Sequence, residues 1–127
     1  MERQDWREVV GNIHLHTVLS DGTGTLPEVV EAAARAGLDF VIPTDHNVFM
    51  PEEAGWRGSV LLLIGEEVHD PQRDPEGSHY LALGIRQDVA PWAGDVQGLV
   101  DEVSRQGGLG FIAHPIEKPG PAVGLDV

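Results

Sequence analysis

The chain has 127 residues, 21 acidic against 8 basic for a formal charge of −13, and no cysteine. That length suits one ordinary domain with a modest core, and the lack of thiols excludes disulfides, zinc–thiolate sites and cysteine nucleophiles. The carboxylates are spread along the whole chain, so stable binding to a nucleic-acid backbone is not expected unless metals invert the local sign.

Residues 1–6 hold no apolar stretch of the kind a signal peptide needs, and no run approaches the roughly 20 apolar residues of a bilayer span. The expectation is a soluble cytoplasmic protein with no membrane partner. Short apolar runs alternate with helical stretches, which points to an α/β fold with a largely parallel sheet. Residues 9–16 read as a first strand. A helix should start at Thr25-Leu26-Pro27-Glu28, where Thr25 can cap, Glu28 can reach back and proline fits the first turn. Val29, Val30, Ala33 and Ala34 form its apolar stripe, and Gly37 stops it.

Residues 38–43 make the second strand, and residues 48–58, carrying proline and glycine, read as loop. The run from Val60 to Ile64 is apolar without alternation, as in a strand covered on both faces. Residues 70–77 form a polar loop and residues 79–85 a fourth strand. Val96, Leu99, Val100 and Val103 repeat at helical spacing within residues 94–106, and Gly107-Gly108 ends that helix. Residues 109–113 are a fifth strand. The expected domain covers residues 1–117, followed by a Pro/Gly tail over 118–127. There is no internal repeat or low-complexity segment.

Candidate ligands fall at the ends of these strands, where loops of an α/β sheet converge on one crevice. His14 and His16 are two apart, so strand geometry puts both rings on one face, a pairing suited to a borderline divalent metal. Alone, such a pair is more often an ordinary polar surface. Asp21 precedes Gly22 in what could be a simple turn, but beside the histidine pair its carboxylate becomes a reasonable ligand.

His46 follows a strand directly and is assigned to metal, with Asp45 as its supporting partner. Of the two carboxylates at Gly65-Glu66-Glu67, Glu66 is preferred as a bridging ligand because the glycine lets the backbone approach closely, and Glu67 is left to solvent. His69 is off pattern and is read as a non-ligand. His79 opens a strand, so an antiparallel fourth strand would bring it to the ligand end. His114 ends the fifth strand, where Pro115 can lock it in an extended conformation.

Together these motifs resemble the PHP family, named for polymerase and histidinol phosphatase. Asn12-Ile13-His14-Leu15-His16-Thr17 with Ser20-Asp21-Gly22 looks like its first motif, and Thr44-Asp45-His46-Asn47 like its second. Gly65-Glu66-Glu67-Val68 and Ala113-His114-Pro115 look like its third and fourth, with His79 as an extra histidine between them. The segment 79–85 looks closest to a branch that includes carbaryl-type ester hydrolases.

The resemblance implies a distorted (β/α)7 TIM-like barrel of which this chain holds about five strands. It implies two or three divalent ions (zinc, manganese or iron) on His14, His16, Asp21, His46, Glu66, His79 and His114. Among these, His14, His16, Glu66 and His114 would carry catalysis. A later Asp-x-His pair usual in the family does not occur, so a C-terminally incomplete domain is expected, with an exposed sheet edge completed by a missing segment or an oligomer.

The function expected is a metal-dependent hydrolase, foremost a phosphoesterase acting on a small-molecule phosphate ester through a metal-bridging hydroxide. The same centre could cleave a carboxylic ester, carbamate or amide. A non-catalytic metal-binding module is the third reading.

Overall fold

The structure, a computed structural model, describes residues 5–73 and 78–115. Strands β1 (Gly11–Asn12), β2 (Phe40–Val41), β3 (Gly55–Arg57) and β4 (Val60–Leu62) make one sheet in the order β1-β2-β4-β3. Strands β5 (Glu66–Val68), β6 (His79–Leu83) and β7 (Leu109–Ala113) make a second sheet in sequence order. Helix α1 (Leu26–Arg35) packs on the first sheet and helix α2 (Val96–Arg105) on the second.

Local sequence explains both helices. The Thr25 hydroxyl accepts from the Glu28 N–H at 3.3 Å, and the Glu28 carboxylate accepts from the Thr25 N–H at 2.7 Å, so two helix-end donors are satisfied reciprocally. Ala33 and the Val29–Val30 stripe then cover Val41, Val60 and Leu62. Asp95 caps α2 by accepting from the Gly98 N–H at 3.0 Å. Leu99 and Val103 close a second core with Val68, Ala82, Ile85 and Val89.

Strands β1, β2 and β4 are parallel, as the alternating pattern implied. Three expectations need correction. Residues 48–58 are not all loop: they hold a single 3-10 turn, Pro51–Glu53, and β3, which turns back antiparallel onto β4. The apolar run is not one strand ending at Glu66; β4 stops at Leu62, and β5 opens at Glu66 in the other sheet. The sheet is not largely parallel, since the second sheet is antiparallel throughout, although this includes the antiparallel strand weighed for His79. Its β5–β6 link is too short for a crossover helix, and a short link between paired strands makes a hairpin.

The two sheets meet where His46, just past β2, bridges Glu67 of β5 in parallel fashion. The parallel strands therefore point their ends toward one place, and antiparallel β6 brings its start there. Strand β7 forms one edge of the second sheet, with Leu109 64% and Ile112 67% exposed. Among the described residues no helix is long and apolar enough to cross a membrane. Residues 116–127, including the expected tail, lie outside the described residues.

Candidate metal centre

Five imidazoles surround one buried carboxylate, that of Glu67. His14 Nε2 and His16 Nε2 each lie 2.8 Å from Glu67 Oε2. His79 Nδ1 is 3.0 Å and His114 Nε2 2.9 Å from Oε1. His46 Nδ1 stands 3.8 Å from Oε2. The rings pack on one another, His16 stacked on His46 at 4.3 Å between centroids and His79 edge-on to His114 at 4.8 Å. Asp21 stands at the solvent side, 3.3 Å from His46 Nε2 and 3.5 Å from His16 Nδ1.

The choice of carboxylate is the main correction to the sequence reading. Side chains alternate along β5. Val68 faces the core under α2, so Glu66, two residues earlier, shares that face and is completely buried. Its Oε2 accepts from the Val89 N–H at 3.1 Å, on the core side of the strand. Glu67 has the opposite phase and enters the cluster. Gly65 does bring the backbone close, its N–H bonding the Pro43 carbonyl at 3.0 Å, but that approach does not decide which of the next two side chains turns inward. The phase of Val68 was the signal in the sequence that would have done so.

The electrostatics follow the geometry. Burial drives the Glu66 carboxyl up to about 8, and neighbouring Asp88 adds to the rise against the Val89 amide, so Glu66 is mostly protonated at neutral pH. Burial also pushes Glu67 upward, but hydrogen bonds from His16 and His14 and the charges of His14 and His46 outweigh it, and the net shift is strongly downward. His16 is raised by its hydrogen bond to Glu67, against burial. Burial lowers His46.

Asp45 supports the site from below. It is buried and accepts three hydrogen bonds, from Thr17 N–H at 2.7 Å, the Thr17 hydroxyl at 2.8 Å and the Ser20 hydroxyl at 2.6 Å. These tie the turn bearing Asp21 to the loop bearing His46. The turn closes where Gly22 N–H meets the Thr17 carbonyl at 2.9 Å, and a Cβ on Gly22 would collide with the His16 carbonyl. The Asp-Gly dipeptide is therefore both a turn and the mount of a candidate ligand. Sequence reasoning missed Thr17, Ser20 and Asn47 as parts of this support.

The donor set fits divalent cations. His14, Glu67 and His114 offer atoms within 4.8 Å of one another, and so do His16, His46 and Glu67, giving two positions that share one carboxylate. Imidazole with carboxylate is the chemistry of zinc, manganese and iron sites. Nδ1 of His46 is buried without a hydrogen-bond partner, a lone pair that a cation would satisfy.

No family model matches the chain. It is 24% identical, with a TM-score of 0.59 over 81% of its length, to a two-domain protein from Bacteroides vulgatus containing a predicted PHP-like metal-dependent phosphoesterase. It covers 34% of that chain. It is 31% identical over 85 residues to a phosphoribosyl 1,2-cyclic phosphate 1,2-diphosphodiesterase from Eggerthella lenta, covering 62% of this chain and 32% of that protein. Over 84 residues it is 25% identical to the DNA polymerase/3′-5′ exonuclease PolX of Bacillus subtilis, covering 66% of this chain and 15% of that protein. The chain thus spans about a third or less of the length of these three proteins. Its α/β fold is similar to that of the Bacteroides vulgatus protein, which contains a predicted domain of the class the motifs resemble.

Proposed function

We propose that this domain is a metal-dependent phosphoesterase. The observation that carries the reading is the convergence of His14, His16, His46, His79 and His114 on the buried Glu67 carboxylate. Support comes from the diphosphodiesterase among its relatives and the phosphoesterase named in its structural neighbour. We assign one ion to His14, Glu67 and His114, with His79 beside them, and a second to His16, His46 and Glu67. Asp21 stands ready to complete a third position. Zinc, manganese and iron all suit these donors.

When bound, such cations supply a deprotonated water as nucleophile at neutral pH and offset the charge that develops on phosphorus. The chain's own part is to hold the donors. Glu67 fixes the rings from behind. Asp45, through Ser20 and Thr17, fixes the turn of Asp21 relative to His46. His14 and His114, the most exposed of the rings around Glu67, leave the outer side of the site open to a substrate. We also read the two sheets as the opening strands of a distorted barrel. The exposed face of β7 is the seam where a further segment or a second copy would join.

Elemental analysis of the purified chain, with cleavage of aryl phosphates and aryl esters measured side by side, tests this reading. Two ions per chain and a preference for phosphate are expected. A chain that binds no divalent ion refutes the assignment. A strong preference for the carbonyl substrate transfers it to carboxylic ester, carbamate or amide hydrolysis.

A further inference from the structure

We propose that Asn47 is a positioning residue for the ion position made by His16, His46 and Glu67, a role that rests on the metal-dependent reading above. Beyond β2 the chain still runs beside β5. Glu67 N–H donates to the Asp45 carbonyl at 3.2 Å, and Asn47 N–H donates to the Glu67 carbonyl at 3.0 Å. At Asn47 the backbone turns away with φ of +51°, a left-handed conformation that asparagine tolerates better than most residues.

The Asn47 side chain then continues the pairing that its backbone abandons. Its Nδ2 donates to the His69 carbonyl at 3.0 Å, and its Oδ1 accepts from the His69 N–H at 3.1 Å. A primary amide has the donor and acceptor of a peptide group. Strand β5 is therefore paired for one residue more than the backbone of the His46 segment reaches.

The consequence falls on His46. Its Nδ1 makes no hydrogen bond, so no polar contact at that atom sets its distance from Glu67 Oε2. The ring is held by Asp21 Oδ2, 3.3 Å from its Nε2, by stacking on His16 and by edge contacts with His69 and His79, the first 5.0 Å and the second 5.1 Å between centroids. What fixes the separation of the two donor atoms is the backbone register of His46 against Glu67, and Asn47 locks that register from its far side. His14 and His114 come from the ends of other strands and owe nothing to this clamp.

Calorimetric titration of the metal-free chain with zinc, in the presence of a competing chelator, separates the two positions. Asn47→Gly keeps the left-handed backbone and deletes both amide bonds. One zinc should bind with wild-type affinity and the other about 10- to 100-fold more weakly, the usual effect of losing a group that orients a ligand. Asn47→Asp keeps the bond from the His69 N–H but sets a carboxylate oxygen against the His69 carbonyl, and it should show the same selective loss. Circular dichroism of both metal-free variants should match the wild type. If Asn47→Gly fails to fold, Asn47→Asp carries the test.

Wild-type affinity at both positions in the folded variants overturns the proposal, and so does an equal loss at both. A wild-type chain that takes up no zinc instead overturns the metal-dependent reading beneath it.

Discussion

Glu66→Gln tests the placement of the two adjacent carboxylates and can be worked through quantitatively. Folded Glu66 keeps its proton until about pH 8, whereas an unfolded glutamate loses it near 4.5. Between those values the folded state binds more protons than the unfolded state, so stability is fully present below pH 4.5 and falls as pH rises through 8. At pH 7 the gap is 7 − 4.5 = 2.5 pH units at about 1.36 kcal/mol each, an order-of-magnitude cost of about 3 kcal/mol for keeping this group.

Glutamine cannot ionise, and its carbonyl can still accept from the Val89 N–H. Glu66→Gln should therefore match the wild type near pH 4.5 and exceed it by about 3 kcal/mol at pH 7. For a chain of this length that is a rise in Tm of about 10 °C. The assay is thermal or urea unfolding of both proteins from pH 4.5 to 8.5, read as their difference so that other titrating groups cancel. Zinc uptake should be unchanged. A flat difference across this range, or loss of bound metal in Glu66→Gln, refutes the assignment of Glu66 to the core and of Glu67 to the site.

Glu67→Gln should do the reverse, removing both ions in elemental analysis because the two positions share that carboxylate. Gly22→Ala places a Cβ against the His16 carbonyl and should destabilise by about 1–3 kcal/mol or more in urea unfolding, with weakened binding at the Asp21 side. Leu62→Ala opens a cavity beneath α1 in a completely buried position and should cost about 2–5 kcal/mol, with zinc stoichiometry retained at low temperature. Zinc binding should release protons, seen as a dependence of the calorimetric heat on the ionisation enthalpy of the buffer, because His16, raised by its hydrogen bond to Glu67, must be neutral to offer a lone pair to a cation.

Much of the site was legible because its ligands sit in short polar motifs at the ends of apolar runs. His14, His16, His46, His79 and His114 were all singled out from the sequence, and the structure gathers them. Both helices were legible for local reasons: Thr25 with Glu28 completes a cap within three residues, and Val96, Leu99, Val100 and Val103 repeat at helical spacing. What escaped the sequence depends on partners far along the chain. The split of residues 60–68 into two strands is set by pairing with Phe40–Val41 on one side and Tyr80–Ala82 on the other. The exchange of Glu66 for Glu67 is set by the phase of the second of these strands: Glu66 lies two residues from the core residue Val68 and shares its face, and Glu67 takes the other. A one-residue change of phase moves a side chain from one face to the other. It is the difference between facing the histidine cluster and facing the core.

The support beneath the ligands shows why such sites are hard to read from residue types alone. Asp45 and Asn47 flank His46, and neither has a ring or charge pointing into the donor set. Asp45 spends its carboxylate on Thr17 and Ser20, which fixes the first motif relative to the second. Asn47 spends its amide on the His69 backbone, which fixes the second motif relative to the third. The Thr-Asp-His-Asn segment is thus a hub whose neighbours tie together loops separated by 25 residues on one side and 22 on the other. The histidine between them makes no hydrogen bond at Nδ1, and that leaves this lone pair available to a cation.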